Sequence, residues 1–290
     1  MNKKGDIVAG YLFLLPNIIG FLIFVLGPAL ASLILSFYDW NLFNTPNFVG
    51  VGNYVKILHD NTFWQSLFNT IYFTIGSVPF SIVLSLILAV ALNQKIKGLT
   101  LFRTIYFLPV VSSMVAIALV WRWMYNNDYG ILNSLLSQLH LPTVNWLSST
   151  TWAMPAIILM SIWKSLGYDM VIFLAGLQGI PNSYYEAAKI DGASGFQLFR
   201  YITIPLLSPT TFFVTIISLI SSFQVFDQAY VMTDGGPANK TMTIVYYLYR
   251  SGFSYYKMGY ASAVAWALFI IILILTIIQW KYSGRKINYQ

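Results

Sequence analysis

Six stretches of this chain contain no lysine, arginine, aspartate or glutamate: Ile7 to Tyr38, Asn61 to Gln94, Thr104 to Trp121, Tyr129 to Trp163, Tyr201 to Phe226 and Met258 to Trp280. A helix that crosses a bilayer needs about 20 mostly apolar residues, and each window holds one such run. Of the 290 residues 58% are apolar and only 9% are charged, against about a quarter charged in a soluble domain. Such a chain cannot wet the surface of a soluble monomer, and it is far too apolar for a disordered one. Cysteine is absent, which excludes disulfides, thiolate metal sites and cysteine nucleophiles. The two histidines, His59 and His140, lie far apart in the sequence, so no metal site is expected.

The predicted architecture is all-α and integral to the membrane, one domain over residues 1–290. Spans are expected near 11–37, 66–92, 101–124, 152–177, 202–231 and 259–282. Lys164 and Asp169 interrupt the fourth. β-Barrel strands would instead read as about ten residues of alternating pattern. The first apolar run exceeds the about 7–15 residues of a signal-peptide core. Pro16, Pro28, Pro79, Pro109, Pro155, Pro205 and Pro209 fall within these spans, and kinks for packing are the expected reading. Trp and Tyr near the span ends, Tyr125 and Trp146 among them, read as an interfacial belt.

Lysine and arginine set the orientation. Lys3, Lys4, Lys95, Lys97, Arg103, Lys189, Arg200, Lys281, Arg285 and Lys286 fall on one side, ten in all. Lys56, Arg122, Lys240, Arg250 and Lys257 fall on the other, and Lys164 completes the sixteen. The richer side is expected to be cytoplasmic, with both termini there. The net charge of +7 is then a topology signal. Nucleic acid is not an expected partner, since no basic cluster sits on a soluble module. No segment between spans exceeds about 30 residues, too short for a separate domain.

The segment 178–201 carries the most local information. Ser183 with Glu186, and Ser194 with Gln197, have the spacing of capping boxes, and Gly192 suits a left-handed helix end. The expected structure is a helix, a turn and a second short helix at the membrane surface. Ala187 and Ala188 leave room for another backbone to approach. Local pattern alone fits either plain helix formation or a docking surface.

The longer pattern shifts the balance toward docking. Glu186-Ala187-Ala188, Gly192, Ile202 and Pro205 resemble the signature loop of permease subunits of bacterial binding-protein-dependent ABC importers. Ile204 stands where that family usually has Leu, a conservative departure. Tyr11-Leu12-Phe13-Leu14-Leu15-Pro16 and Leu174-Ala175-Gly176-Leu177-Gln178-Gly179-Ile180-Pro181 resemble sugar-importer permeases of the carbohydrate-uptake class. Thr233-Asp234-Gly235-Gly236-Pro237 with Thr241 resembles the outer loop of the maltose-permease-like first subunit.

The resemblance implies a type I ABC importer permease fold in the bacterial plasma (inner) membrane. It implies a heterodimer with a second homologous permease, two ATPase subunits below and an extracellular solute-binding protein above. Glu186, Ala187, Ala188, Asp191, Gly192 and Pro205 would couple the chain to one ATPase. ATP and magnesium would be bound by those partners, since the chain has no phosphate-binding loop. No cofactor and no catalytic residue is expected in this chain.

An ionisable residue at membrane depth is a functional candidate by default. The expected substrate pathway comprises Trp163, Lys164, Tyr168, Asp169, Phe223, Gln224 and Asp227, with Phe226 as a further aromatic face. Sugars take hydrogen bonds at their hydroxyls and stack their apolar faces on rings. Two readings of Lys164 stand open: contact with an anionic sugar, or pairing with a partner carboxylate or internal water. Asp227 has the alternative of capping its span. Rival functions are an ABC permease for a non-sugar solute and an ion-coupled secondary transporter. The latter needs buried carboxylate relays and inverted repeats, and Asp169 is the only acid well inside a span.

Overall fold

The computed structural model describes residues 3–94 and 98–283. Lys95, Lys97, Arg285 and Lys286, used above for orientation, lie outside the described residues. In chain order, α1 (Lys3–Phe21) continues through a π-helical turn (Leu22–Leu26) into α2 (Gly27–Leu35). A two-residue ribbon follows, β1 (Tyr38–Asp39) antiparallel to β2 (Asn47–Phe48), and then α3 (Gly52–Leu58). Next come α4 (Asn61–Leu92), α5 (Leu99–Val111), α6 (Met114–Met124), α7 (Ile131–Gln138) and α8 (Ala153–Gln178). The remainder is α9 (Asn182–Ile190), α10 (Gly195–Leu198), α11 (Ile204–Leu206), α12 (Ser208–Phe223), α13 (Asp227–Thr233), α14 (Ile244–Tyr249) and α15 (Met258–Ser283). The short ribbon is the one departure from an all-α chain among the described residues.

Four helical stretches are long and apolar enough to cross a membrane, Tyr11–Leu35, Asn61–Leu92, Ala153–Gln178 and Met258–Lys281, and two bent pairs bring the possible spans to six. The bends correct two expectations. The third span breaks at Ser112 and Ser113, both extended, and α5 meets α6 at 100°. The fifth bends by 63° between Leu206 and Ser208. Pro209, in the first turn of α12, has no N–H to give to Pro205, and its ring excludes that carbonyl. This span also stops at Phe223 rather than running on to residue 231, because Gln224 to Phe226 leave the helix before α13 begins. The Thr243 hydroxyl donates to the freed carbonyl of Val225 at 2.7 Å. Pro16 and Pro79 are carried inside unbroken helices.

The chain forms two compact units. The first comprises Met1–Asp60 with Leu248–Ile270. Buried Asn53 donates to the carbonyls of Ser36 (2.9 Å) and Tyr38 (2.8 Å). Trp266 Nε1 donates to Ser32 Oγ at 3.1 Å, and Gly259 lets α15 begin where a Cβ would lie 1.8 Å from the Tyr38 carbonyl oxygen. The apolar side chains of α1 and α2 are largely exposed, as lipid-solvated helices require.

The second unit comprises Asn61–Tyr247 with Ile271–Gln290. Its centre is the pair α4 and α8. On α4, Ser66, Asn69, Phe73, Ser77, Ser81, Ser85 and Ala89 are buried, a stripe at helical spacing, while Phe68, Ile75, Val83 and Ile87 are exposed. Small and polar residues between helices with apolar ones outward is the arrangement expected when lipid is the solvent. Tyr125 is not part of an interfacial belt. It is 1% exposed, its hydroxyl donates to the Ala156 carbonyl at 2.9 Å, and its ring packs against Trp121 and Trp146.

Candidate functional site

A cavity of about 340 Å³ opens between α4, α8, α12 and the segment leading into α13. Five of the seven expected pathway residues line it: Lys164, Tyr168, Asp169, Gln224 and Asp227, joined by Phe226. The other two lie elsewhere. The Trp163 ring packs on Trp121 with centroids 5.5 Å apart, and Phe223 is buried in the protein at 4% exposure. α8 places Lys164, Tyr168 and Asp169 on the lining at helical spacing, and the non-helical residues Gln224 to Phe226 present consecutive side chains from the opposite wall.

The polar geometry is specific. Asp169 is 3% exposed, and its Oδ2 accepts from Ser81 Oγ at 2.8 Å. Ser81 and Ser165 share a 2.8 Å hydrogen bond. Gln228 Nε2 donates to Ser161 Oγ at 3.3 Å, and Thr74 donates to Ser222 Oγ at 3.0 Å. Lys164 Nζ donates to three main-chain carbonyls, Pro109 (2.7 Å), Val110 (3.2 Å) and Ser112 (3.1 Å). Among the described residues it makes no ion pair, with Asp169 or any other acid.

Sequence reading missed the hydroxyls. Ser77, Ser81, Ser161, Ser165, Ser218, Ser221 and Ser222 all line the cavity. Their signal was present, since Ser77 and Ser81 on α4, and Ser161 and Ser165 on α8, each recur at one helical turn. The arrangement presents hydroxyls, two amides, two carboxylates and three aromatic rings toward one space, which suits a polyhydroxylated solute.

The second candidate site is the surface loop. α9 ends in a Schellman motif, with Ala193 N–H donating to Ala188 O (2.9 Å) and Gly192 N–H to Lys189 O (3.1 Å). Gly192 has the expected positive φ, +82°. Ser194 and Gln197 form the expected reciprocal capping box at the start of α10. The Ser183–Glu186 box does not form: α9 starts two residues earlier than a Ser183 cap requires, after Pro181, with no side-chain cap. Pro181 supplies the extended entry, so the Glu186 carboxylate is left exposed on the surface. Ala187, Asp191 and Gly192 are exposed beside it, and Ala188 is half-buried. Ala188, Asp191 and Gly192 line a shallow hollow with Gln197, Leu198 and Tyr201. Pro205 lies behind this surface, half-buried in α11, where it shapes the bend. Ile190 (86%), Phe196 (74%) and Tyr201 (73%) are exposed around the hollow and were not anticipated, although apolar side chains in a polar loop are readable from sequence. The loop is tied to the membrane part through Tyr185, whose hydroxyl shares a 3.0 Å bond with Thr203 and whose ring packs against the buried cluster of Phe173, Leu174, Leu177 and Leu207.

The family described as "Binding-protein-dependent transport system inner membrane component" matches residues 48–287. The chain belongs to this family. This permease is a multi-pass membrane protein and a transport component rather than an enzyme. It is 40% identical over 292 residues to the probable ABC transporter permease protein YesP of Bacillus subtilis, with 99% of this chain and 94% of that protein covered. It is 39% identical over 285 residues to the lactose transport system permease protein LacF of Rhizobium radiobacter, covering 96% of this chain and 95% of that one. Among solved structures, the permease resembles a chain of a bacterial alginate ABC transporter in complex with an alginate pentasaccharide-bound periplasmic protein. The TM-score is 0.85 at 26% identity, over 97% of this chain and 96% of that one.

The loop that follows α13 in the permease explains its own motif. Asp234 (φ +51°) and Gly235 (φ +76°) end α13 in left-handed conformations. Thr241 Oγ1 donates to Gly236 O at 2.7 Å and shares a 2.6 Å bond with Thr233 Oγ1. Asn69 of α4 donates to the carbonyls of Asn239 (2.7 Å) and Met242 (2.9 Å). The Thr-Asp-Gly-Gly-Pro stretch is thus a self-closed loop fastened to α4.

Proposed function

We propose that the permease moves an oligosaccharide or related sugar, delivered by an extracellular binding protein, across the bacterial plasma membrane into the cytoplasm. It works as a heterodimer with a second, homologous permease over two ATPase subunits, which bind ATP and magnesium. The observation that carries the sugar assignment is the cavity lining: seven serines, Gln224, Asp169 and Asp227 beside the rings of Tyr168 and Phe226. Hydroxyl-to-hydroxyl and hydroxyl-to-carboxylate bonds with ring stacking are how a water-soluble sugar replaces its hydration shell in a confined site. The lactose permease and the alginate transporter, one named for a disaccharide and the other for a polysaccharide, support the same class.

Loop 178–201 is the coupling element, with both termini on its side of the membrane. Glu186, Ala187, Asp191 and Gly192 form its docking face, widened by Ile190, Phe196 and Tyr201. Tyr185 joins that face to α8 and to the bend before α12, so a pull on the loop reaches the cavity walls as a rigid-body shift.

Uptake by the reconstituted importer tests the sugar reading. Tyr168→Ala and Gln224→Ala are each expected to raise the KM for sugar about tenfold, the loss of one stacking contact or one hydrogen bond. Uptake of amino acids or phosphate with no uptake of any oligosaccharide would replace it with the non-sugar ABC reading.

A further inference from the structure

Lys164 is the only cation lining the cavity among the described residues, and a cation there invites the reading that it recognises an acidic sugar. Its geometry points elsewhere. A lysine ammonium has three donors, and all three have main-chain acceptors at the end of α5: Pro109 O (2.7 Å), Val110 O (3.2 Å) and Ser112 O (3.1 Å). These carbonyls stand where the helix breaks. Ser112 and Ser113 are extended, so the following residues supply a main-chain N–H to only one of the three, Ser112 N–H to Pro109 O at 3.3 Å. Carbonyls left open at membrane depth are costly, and the C-terminal end of a helix favours a positive charge. One turn further along α8, Gly167 takes the backbone of α5 so closely that a Cβ would lie 2.1 Å from the Tyr106 carbonyl oxygen. The two helices are therefore fastened at two levels, Tyr106 on Gly167 and the break on Lys164. Directly beyond the break, Met114 forms part of the cavity wall.

We propose that Lys164 is a positioning residue. It caps the broken end of α5, holds the 100° joint with α6 and so fixes the wall that Met114 contributes. Its charge is answered by the carbonyls, and discrimination between acidic and neutral sugars does not depend on it. This extends the sugar reading for the same cavity, while the claim about the joint stands apart from it.

The test uses the complete importer in proteoliposomes and the fact that this chain has no cysteine of its own. Met114→Cys places a thiol just past the joint, and its labelling by a membrane-impermeant maleimide is followed on this chain. Adding Lys164→Met should speed labelling about tenfold, since charge-assisted hydrogen bonds are lost, and Lys164→Arg should restore the slow rate. An unchanged rate in Lys164→Met overturns the proposal. Should that variant fail to accumulate, Lys164→Gln, with two donors for three carbonyls, gives an intermediate rate, and a rate equal to that of Lys164 overturns it. In a second arm, uptake of a neutral and a uronate trisaccharide should fall by the same factor in Lys164→Met and recover with Lys164→Arg. Loss of uronate uptake alone, with the neutral sugar unaffected, overturns the proposal. If the unsubstituted importer moves no oligosaccharide at all, the sugar reading fails, and the labelling arm still decides the role of Lys164.

Discussion

Gly167 and Gly192 lack a side chain for opposite reasons. At Gly167 the constraint is space, because the Tyr106 carbonyl occupies the place of a Cβ. Gly167→Ala is expected to force α5 off α8 and destabilise the permease by about 3 kcal/mol, the upper range for overpacking. Thermal unfolding of the purified chain in detergent would register it. At Gly192 there is open space and the constraint is the backbone, held at φ +82°. Gly192→Ala should cost about 1 kcal/mol, whereas Gly192→Asn, which tolerates the left-handed region, should cost less. The reading is the ATPase activity stimulated by loaded binding protein. The sequence exposed Gly192 because a helix end and a capping pattern bracket it. Nothing local distinguished Gly167 from other glycines in a span, since its partner lies on another helix.

At the scale of elements, the uncharged windows coincide with four long apolar helices and two bent helix pairs, and the bends fall where hydropathy is blind. Ser112 and Ser113 are acceptable helix residues, and the partner of the carbonyls at their break is a lysine on another helix, α8. The 63° bend was more legible, with Pro205 and Pro209 four residues apart in the sequence. The segment between α6 and α8 depends on one buried amide. Asn133 donates to Asn127 O (3.3 Å) and Val144 O (3.0 Å), and its Oδ1 accepts from Val144 N–H (3.1 Å) and Trp146 Nε1 (3.0 Å). Asn133→Leu leaves these groups without partners and should destabilise the segment by about 3 kcal/mol. Faster proteolysis between α6 and α8 would report it, and Asn133→Asp, which keeps the acceptor, should be milder.

For the whole molecule, the coupling role proposed for loop 178–201 is testable at one residue. Glu186→Lys reverses the charge on the exposed face of α9 while leaving its fold intact, because Glu186 takes no part in the helix cap. It is expected to lower stimulated ATPase activity and uptake together by about tenfold, the scale of a mispaired interfacial charge. Unchanged activity would remove Glu186 from the docking face.

The sequence by itself determined the class of protein, the apolar stretches and the helix–turn–helix form of loop 178–201, because hydropathy and helix-end chemistry act over one to three turns. It also marked Lys164, Tyr168, Asp169, Gln224 and Asp227, since ionisable and amide groups at membrane depth are rare. Only the tertiary structure decided what these and the neighbouring Trp163 contact. It put Trp163 against Trp121, turned Lys164 to the broken end of α5 and gave Asp169 to Ser81. Those assignments rest on contacts between residues as much as 88 positions apart. A helix pattern shows which side chains share a face, and the packing of several helices settles what that face meets.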